Sequence, residues 1–391
     1  MNSRVILALN SGSSSRKIAL YRSGGAREEL VAQGAAEGIG LEHGRLWVRD
    51  GKGTALTEVD RRFRERGDAL EALFSELKRL QFPDADAVGH RVVHGGPNYS
   101  TPAIVTPKLL EDLRRLVPFA PLHIPDEIDG IKAAALHFPE APQVACFDTA
   151  FHQRMPAVAR RLPLPRPLWD EGVRRYGFHG ISYEYIMEAL GSDAPSRIVL
   201  AHLGNGASLA AVRDRNPIDT TMGFTPSGGL MMGTRSGDLD PGVILYLLNA
   251  KHLEAHQVAD MINSQSGLLG VSGTSPDMKA LLRVRESDAR ADEAVAMFCY
   301  QLRKYIGAFA AALGGLDLLV FTGGIGEHAG VVRWETCDGL AHLGIRLDPD
   351  RNRSDADTIS SSDSRCVVRV IPTDEDLMIA RHTARTAFSA A

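Results

Sequence analysis

Apolar positions along the chain fall into two patterns. Short β-branched and aliphatic runs read as strands: Val5 to Leu9, Lys17 to Tyr21, Gln143 to Phe147, Ile198 to Ala201, Ala207 to Val212, Leu318 to Phe321 and Val367 to Ile371. Leu30 to Val48 reads as further sheet broken by glycines, and Val88 to Gly96 contains another short apolar strand. Leu70, Leu73, Phe74, Leu77 and Leu80 stand at helical spacing and predict a helix over 66–80. Comparable patterns predict helices over 107–117, 183–190, 243–249, 253–264 and 289–313. This mixture of elements is α/β.

Several strands run straight into turns that carry chemistry. After Leu9 come Asn10-Ser11-Gly12-Ser13-Ser14-Ser15 and Lys17, and after Ala201 come His202-Leu203-Gly204-Asn205-Gly206. Asn-Gly tolerates positive φ and favours a tight hairpin. Glycine also lets backbone N–H groups approach phosphate oxygens, so both turns are candidate phosphate holders as well as plain hairpins. A P-loop is not the reading, because no Gly-Lys-Ser/Thr and no helix follow Ser15. Arg91 lies inside an apolar strand, where a charge is costly unless it meets an anion, while His90 and His94 there are read as core histidines. Asp148 stands at a strand's C-terminal end, where α/β folds place ligands; general base, positioning group and metal ligand all remain open for it.

Met155-Pro156, Pro163, Pro165 and Pro167 mark a proline-rich crossing, the best linker candidate in the chain. Asp219 to Gly242 is polar and glycine-dense yet carries Met222, Phe224, Leu230, Met231 and Met232, which argues for an ordered functional segment around Arg235. His252 and His256 are read as a solvated helix face, since the Glu and third ligand of a zinc site are absent. Gly324-x-Gly326-x-x-Ala329 matches the dinucleotide fingerprint in form but lacks a βαβ partner, and reads as a glycine turn admitting a flat ligand such as adenosine. Thr373 is expected to cap the final helix, with Asp374, Glu375 and Asp376 in or beside its first turn.

Bulk properties narrow the class. The chain has 391 residues, too many for one compact core. Apolar residues at 44% and charged residues at 24% are ordinary for a globular protein. A net charge of −4 with no basic cluster argues against nucleic acid. No apolar run reaches the ~18–20 residues of a membrane span, and Val5 to Leu9 is too short for a signal peptide. Four scattered cysteines predict reduced thiols, so a cytoplasmic location with no membrane partner is expected. The two asparagine-tipped turns are half a chain apart, which suggests a duplicated fold.

Taken together, these motifs resemble the acetate kinases, members of the superfamily that joins acetate and sugar kinases with actin. The resemblance runs nearly end to end: Leu9 to Ser15, Gly89 to Gly96, Phe147-Asp148-Thr149-Ala150-Phe151-His152, Tyr176-Gly177-Phe178-His179-Gly180, His202 to Gly206, Met232 to Asp238, Thr322 to Glu327 and Ile371-Pro372-Thr373, in the family's order. It implies two duplicated actin-like (ribonuclease H-like) domains of mixed sheet flanked by helices, 1–150 plus 376–391 and 151–375, with the active site in the cleft between them. The implied reaction is ATP + acetate ⇌ ADP + acetyl phosphate, by direct in-line transfer with Mg2+ (or Mn2+), in a homodimer. By position, Arg91 and Arg235 take the carboxylate and the phosphoryl group, His179 its equatorial oxygens, and Asp148 an acid/base or positioning role. Asn10 and Glu375 would hold the metal, and Lys17 with His202, Leu203, Gly204, Asn205 and Gly206 would line the phosphates. Asp277, Met278, Lys279, Gly324, Ile325, Gly326, Glu327 and His328 would surround the nucleoside; Val93, Leu122, Phe178 and Pro226 would enclose the methyl group. Ile124, Ser227-Gly228, Lys279 and His328 depart from the family's usual residues and bear on acyl-chain and nucleotide preference. Propionate or butyrate kinase and a non-catalytic nucleotide-binding relative are the competing readings.

Overall fold

The computed structural model describes residues 3–12, 15–24 and 28–388. Ser13 and Ser14, at the tip of the first turn, lie outside the described residues. The chain divides into two compact units, Met1–Phe151 with Gly180–Tyr185 and Asp374–Ala391, and His152–His179 with Ile186–Thr373.

The first unit is built on a sheet of order β5-β4-β3-β2-β1-β6-β8-β7. Its strands are β1 (Arg4–Ser11), β2 (Ser15–Ser23), β3 (Glu29–Glu37), β4 (Arg45–Asp50), β5 (Ala55–Asp60), β6 (Ala87–Val92), β7 (Ala103–Ile104) and β8 (Gln143–Phe147). β1, β2 and β3 form an antiparallel meander, and β6 and β8 add parallel to β1. Alternation in β1 sends Leu7 and Leu9 to one face and Ile6 and Ala8 to the other, because successive side chains point oppositely. The first face packs on the Arg66–Arg79 helix and on Ala134 of the Ile124–His137 helix. The second packs on Met378, Ile379 and Ala380 of the terminal Glu375–Phe388 helix. Both faces of the central strands are therefore buried, as parallel pairing requires.

The second unit holds β9 (Arg197–Leu203), β10 (Ala207–Arg213), β11 (Asn216–Thr220), β12 (Leu318–Thr322) and β13 (Val367–Val370), in the order β11-β10-β9-β12-β13. β9, β10 and β11 are an antiparallel meander, and β12 and β13 run parallel to β9. This repeats, strand for strand and direction for direction, the β3-β2-β1-β6-β8 set of the first unit. The duplicated α/β fold inferred from the two asparagine turns thus stands. The Ala289–Leu313 helix, with Val295, Phe298, Leu302, Ile306 and Phe309 buried, packs along this sheet.

Several local expectations need correction. Asp374, not Thr373, caps the terminal helix, since its carboxylate accepts the Leu377 N–H at 2.9 Å. Gly324 and Gly326 lie not in an open turn but in a short helix, Gly323–His328, that follows β12 directly. The 253–264 helix begins at Ala255, and His252 has φ 54° outside it, so the two histidines share no helix face. The proline-rich crossing is no free linker: it folds within the second unit as short helices, Ala157–Arg160 and Arg166–Asp170. All four cysteines are free and buried. No described helix is long and apolar enough to cross a membrane.

Candidate functional site

In the first unit the chemistry gathers where β1, β6 and β8 end. Asp148 follows β8 directly, and its N–H bonds Val92 O at 2.9 Å. Arg91, near the end of β6, directs Nε and Nη2 onto Asp148 Oδ2 at 2.9 and 2.5 Å. Two donors on one oxygen hold the guanidinium plane fixed. Arg91 Nη1 reaches Asn10 Oδ1 at 3.4 Å, and Asn10 Nδ2 donates to Glu375 Oε2 at 3.1 Å and Asp376 Oδ1 at 3.2 Å. The fold thereby joins Asn10, Arg91, Asp148 and Glu375 into one chain of hydrogen bonds.

Burial raises the Asp148 carboxyl to about 6; Arg91 works against that rise and Glu375 adds to it. Asp148 Oδ1 is buried and has no hydrogen-bond partner, a costly condition for a carboxylate oxygen. Burial and the neighbouring Glu375 likewise push Asp376 up to about 6. The carboxylates of Glu375 and Asp376 form a hard oxygen donor set beside Asn10, whose amide nitrogen faces them and whose Oδ1 faces Arg91. That set suits a cation that takes one or two carboxylates and completes its shell with water and phosphate. Among the described residues no group of three or more His, Cys, Asp or Glu is placed to hold a metal ion. Lys17 pairs with Asn10 across β1–β2 and is exposed. Val93 is buried, whereas Leu122 is 59% exposed. His90 is a core residue, held by Gln143 Oε1 at 2.7 Å, and His94 is buried.

The second unit carries the other set. β9 and β10 close through Gly204-Asn205-Gly206, with Ala207 opposite Leu203 and the Gly204 N–H bonded to Gly206 O at 2.9 Å. His179 has φ 58°. Its Nδ1 lies 2.9 Å from Ser208 Oγ, and its ring stacks on His202 with centroids 4.2 Å apart. Arg235 is held by Pro226 O at 3.0 Å. A β-carbon placed on Gly206 would lie 3.3 Å from His179 Nε2 and 3.7 Å from Arg235 Nη1. His179 and Arg235 therefore converge on the space that this glycine leaves open.

Further glycines let backbone meet backbone around the hairpin. A β-carbon on Gly233 would fall 2.1 Å from Asn205 Oδ1 and 3.1 Å from Pro276 O. The Gly233 N–H bonds Asn205 O at 3.0 Å. Asp277 follows Pro276 and caps the Met278–Val284 helix through the Lys279 N–H. Met278 is buried, so its side chain serves the core, while Asp277 and Lys279 are exposed. Gly323 has φ 76°, and a β-carbon there would meet Leu203 O at 2.8 Å. Glu327 Oε1 accepts the Gly323 N–H at 2.9 Å. Gly324 and His328 are exposed beside half-buried Ile325 and buried Gly326, and His328 lies 3.9 Å from Glu327. Phe178 is buried, and its carbonyl meets His152 Nε2 at 3.0 Å.

Sequence reasoning missed the partners that hold these groups. Ser208 was visible at the hairpin but its bond to His179 was not. Asp376 read as a helix-dipole acid, yet it binds Asn10. Buried Arg333 ties Gly326 O and Glu327 O to Asn352 and Asp355; no motif signals it.

The model of the acetokinase family matches residues 5–381. The acetate kinase of Methylocella silvestris is 48% identical over 398 residues, covering 97% of this chain and 97% of that relative. Among solved structures, the acetate kinase of Porphyromonas gingivalis is 40% identical with a TM-score of 0.85, covering 97% of this chain and 98% of its own. A propionate kinase from Francisella tularensis is 36% identical with a TM-score of 0.90, covering 98% and 100%. With its motifs, its duplicated sheets and its near-complete match all in agreement, the chain belongs to the acetokinase family.

Proposed function

We propose that the protein is an acetate kinase, transferring the γ-phosphoryl group of ATP to acetate and back. The observation that carries this reading is the joint presence, in a full-length family member, of the Arg91–Asp148 pair and of His179 with Arg235 at Gly206. A carboxylate is already an anion at neutral pH, so one of its oxygens attacks the γ-phosphorus without a base, and the bond from that phosphorus to the departing ADP oxygen breaks. Positioning and charge are what such a transfer needs. Arg91, locked by Asp148, orients the acetate carboxylate. His179 and Arg235 stabilise the equatorial phosphoryl oxygens as charge builds there. On this reading Asp148 is a positioning residue.

Asn10, Glu375 and Asp376 would hold Mg2+, which supplies charge neutralisation to the phosphates when bound. Lys17 and His202 to Gly206 bind phosphates, and Asp277, Lys279 and Gly324 to His328 take the nucleoside. Val93, Leu122, Phe178 and Pro226 receive the acyl chain. Residues 1–150 with 376–391 and 151–375 are the duplicated halves, each with one complete five-strand set. The Pro241–Asn249 helix supports a homodimer: it is almost wholly apolar, has no buried residue, and exposes Val243, Leu245 and Tyr246. Four free, buried cysteines accord with a cytoplasmic location.

Propionate is the second reading, favoured by the TM-score of 0.90 to a propionate kinase. One methylene separates two such substrates by only ~1–3 kcal/mol. Trapping acyl phosphate as hydroxamate, with ATP, Mg2+ and C2 to C4 acids, tests both. No hydroxamate from any acid would sink the kinase assignment, and the highest kcat/KM names the substrate.

A further inference from the structure

A buried carboxyl that the mechanism above leaves unused stands behind Arg91. Ile124, Glu127, Ile128 and Ile131 form the buried face of the Ile124–His137 helix, so Glu127 is the acid of an otherwise apolar stripe. It is 5% exposed. Its Oε1 accepts the N–H of Val93 at 3.1 Å, two residues beyond Arg91. Its Oε2 is buried without a hydrogen-bond partner, as is Oδ1 of Asp148. A second carboxylate so placed makes the charge count matter. Arg91 and Asp148 cancel and Glu375 adds a negative charge to the same network, so an ionised Glu127 would deepen the negative charge where a substrate carboxylate must dock.

We propose that Glu127 is a positioning residue that holds the Val93 backbone as a neutral acid, keeping the Arg91–Asp148 pair receptive to an anionic carboxylate. The inference rests on the carboxylate kinase reading. Burial raises the Glu127 carboxyl to about 8, against the opposing pull of the Val93 N–H and Arg91 and with Asp148 and Asp126 adding to the rise. Asp126 is itself ion-paired with buried Arg16 of β2. The other helices packed on this one bring few competing charges. The described charged side chains of Arg66–Arg79 are exposed except Glu76, which bonds Arg79 and Thr57. Those of Pro107–Arg115 are exposed except Asp112, which bonds Tyr99 and Lys108. Ionisation of Glu127 above neutrality thus adds a charge that acetate meets and that no adjacent cation beyond Arg91 takes up.

The test is the pH dependence of KM for acetate in the wild-type enzyme, E127Q and E127L. E127Q keeps an acceptor for the Val93 N–H but cannot ionise; E127L removes the acceptor. Wild-type KM should rise by up to about tenfold per pH unit above about pH 8, while E127Q stays flat over the same range. E127L should show a KM raised at every pH. Slopes are compared within each variant, so a uniform loss of rate does not bear on the outcome. An alkaline rise retained in E127Q overturns the inference while leaving the kinase assignment intact. If no C2 to C4 acid yields acyl phosphate, the kinase assignment fails instead. Should E127Q not fold, or activity be absent, a 13C carboxyl titration of selectively labelled wild-type protein decides: a Glu127 resonance titrating near about 8 supports the proposal, and one already ionised at about 6 overturns it.

Discussion

Gly206→Ala separates chemistry from stability at the point where His179 and Arg235 converge. The added methyl group would sit 3.3 Å from His179 Nε2 and 3.7 Å from Arg235 Nη1, within the space assigned to phosphoryl oxygens. Gly206 is not among the positive-φ glycines, so alanine adopts its backbone without strain. The substitution removes conformational freedom from the unfolded chain, worth ~0.4–1 kcal/mol in favour of the fold. The tight contact with His179 opposes this gain, leaving net stability within about 1 kcal/mol of wild type. Catalysis should suffer far more. Denying an oxyanion one preorganised donor costs ~2.7–4 kcal/mol, or about 10²–10³-fold in kcat. Hydroxamate-coupled kinetics give kcat and KM, and thermal melting reports the fold. Near-wild-type kcat in a folded Gly206→Ala protein would refute the placement of the phosphoryl group between these two side chains.

Other expectations follow from the same contacts. Arg91→Ala should lower kcat by ~10³-fold or more, and Arg91→Lys should not restore it, because lysine cannot reproduce the paired Nε and Nη2 bonds to Asp148; recovery with lysine would reduce Arg91 to a point charge. Gly89→Ala would drive a methyl group to 2.0 Å from Thr383 Oγ1 and 2.7 Å from Ile379 Cγ2, costing ~1–3 kcal/mol by overpacking; an unchanged urea midpoint would contradict that packing. Burial lowers His90 and His152 from 6.5 to about 4. Between those values the unfolded chain binds more protons, so stability is full above about 6.5 and falls as pH drops toward about 4. Each histidine contributes up to ~1.4 kcal/mol per pH unit. His90→Gln should make that slope shallower by one proton, and an unaltered slope in urea titrations across the window would count against a neutral buried His90.

What was legible in the sequence was whatever local periodicity or turn chemistry encodes. The central strands and the Asn-Gly hairpin were read correctly because alternation, β-branching and glycine act within a few residues. β5 was missed because nearly all of its residues are exposed and no apolar alternation marks it. The Ile124–His137 helix was missed because Pro125, Asp126 and Glu127 look like loop residues until their burial is known. The Gly323–His328 helix was hidden by its glycines, whose conformation is fixed by the Glu327 bond to the Gly323 N–H. At the site, residue types were apparent but partners were not. Asn10 and Glu375 bond across 365 positions, and no spacing rule reaches that far. The family resemblance supplied the shared role of Asn10 and Glu375, while Glu127 and the Ser208–His179 bond emerged only from the folded arrangement.

The Glu375–Phe388 helix, which completes the core of the first sheet, is made long after the strands it covers. β6 ends at Val92, so Ile6, Ala8 and Ala87 await Met378 and Ile379 until some 287 further residues, Val93 to Ile379, have been added. At ~5–20 residues per second that is a delay of roughly 15–60 s. During it, an apolar sheet face lies without its cover, the period when a nascent chain most needs chaperone protection. The same order of synthesis means that Asn10 meets Glu375 and Asp376 only after more than 360 later residues have been added. Translation that stops before Asp376 therefore cannot release a protein with this end of the site assembled.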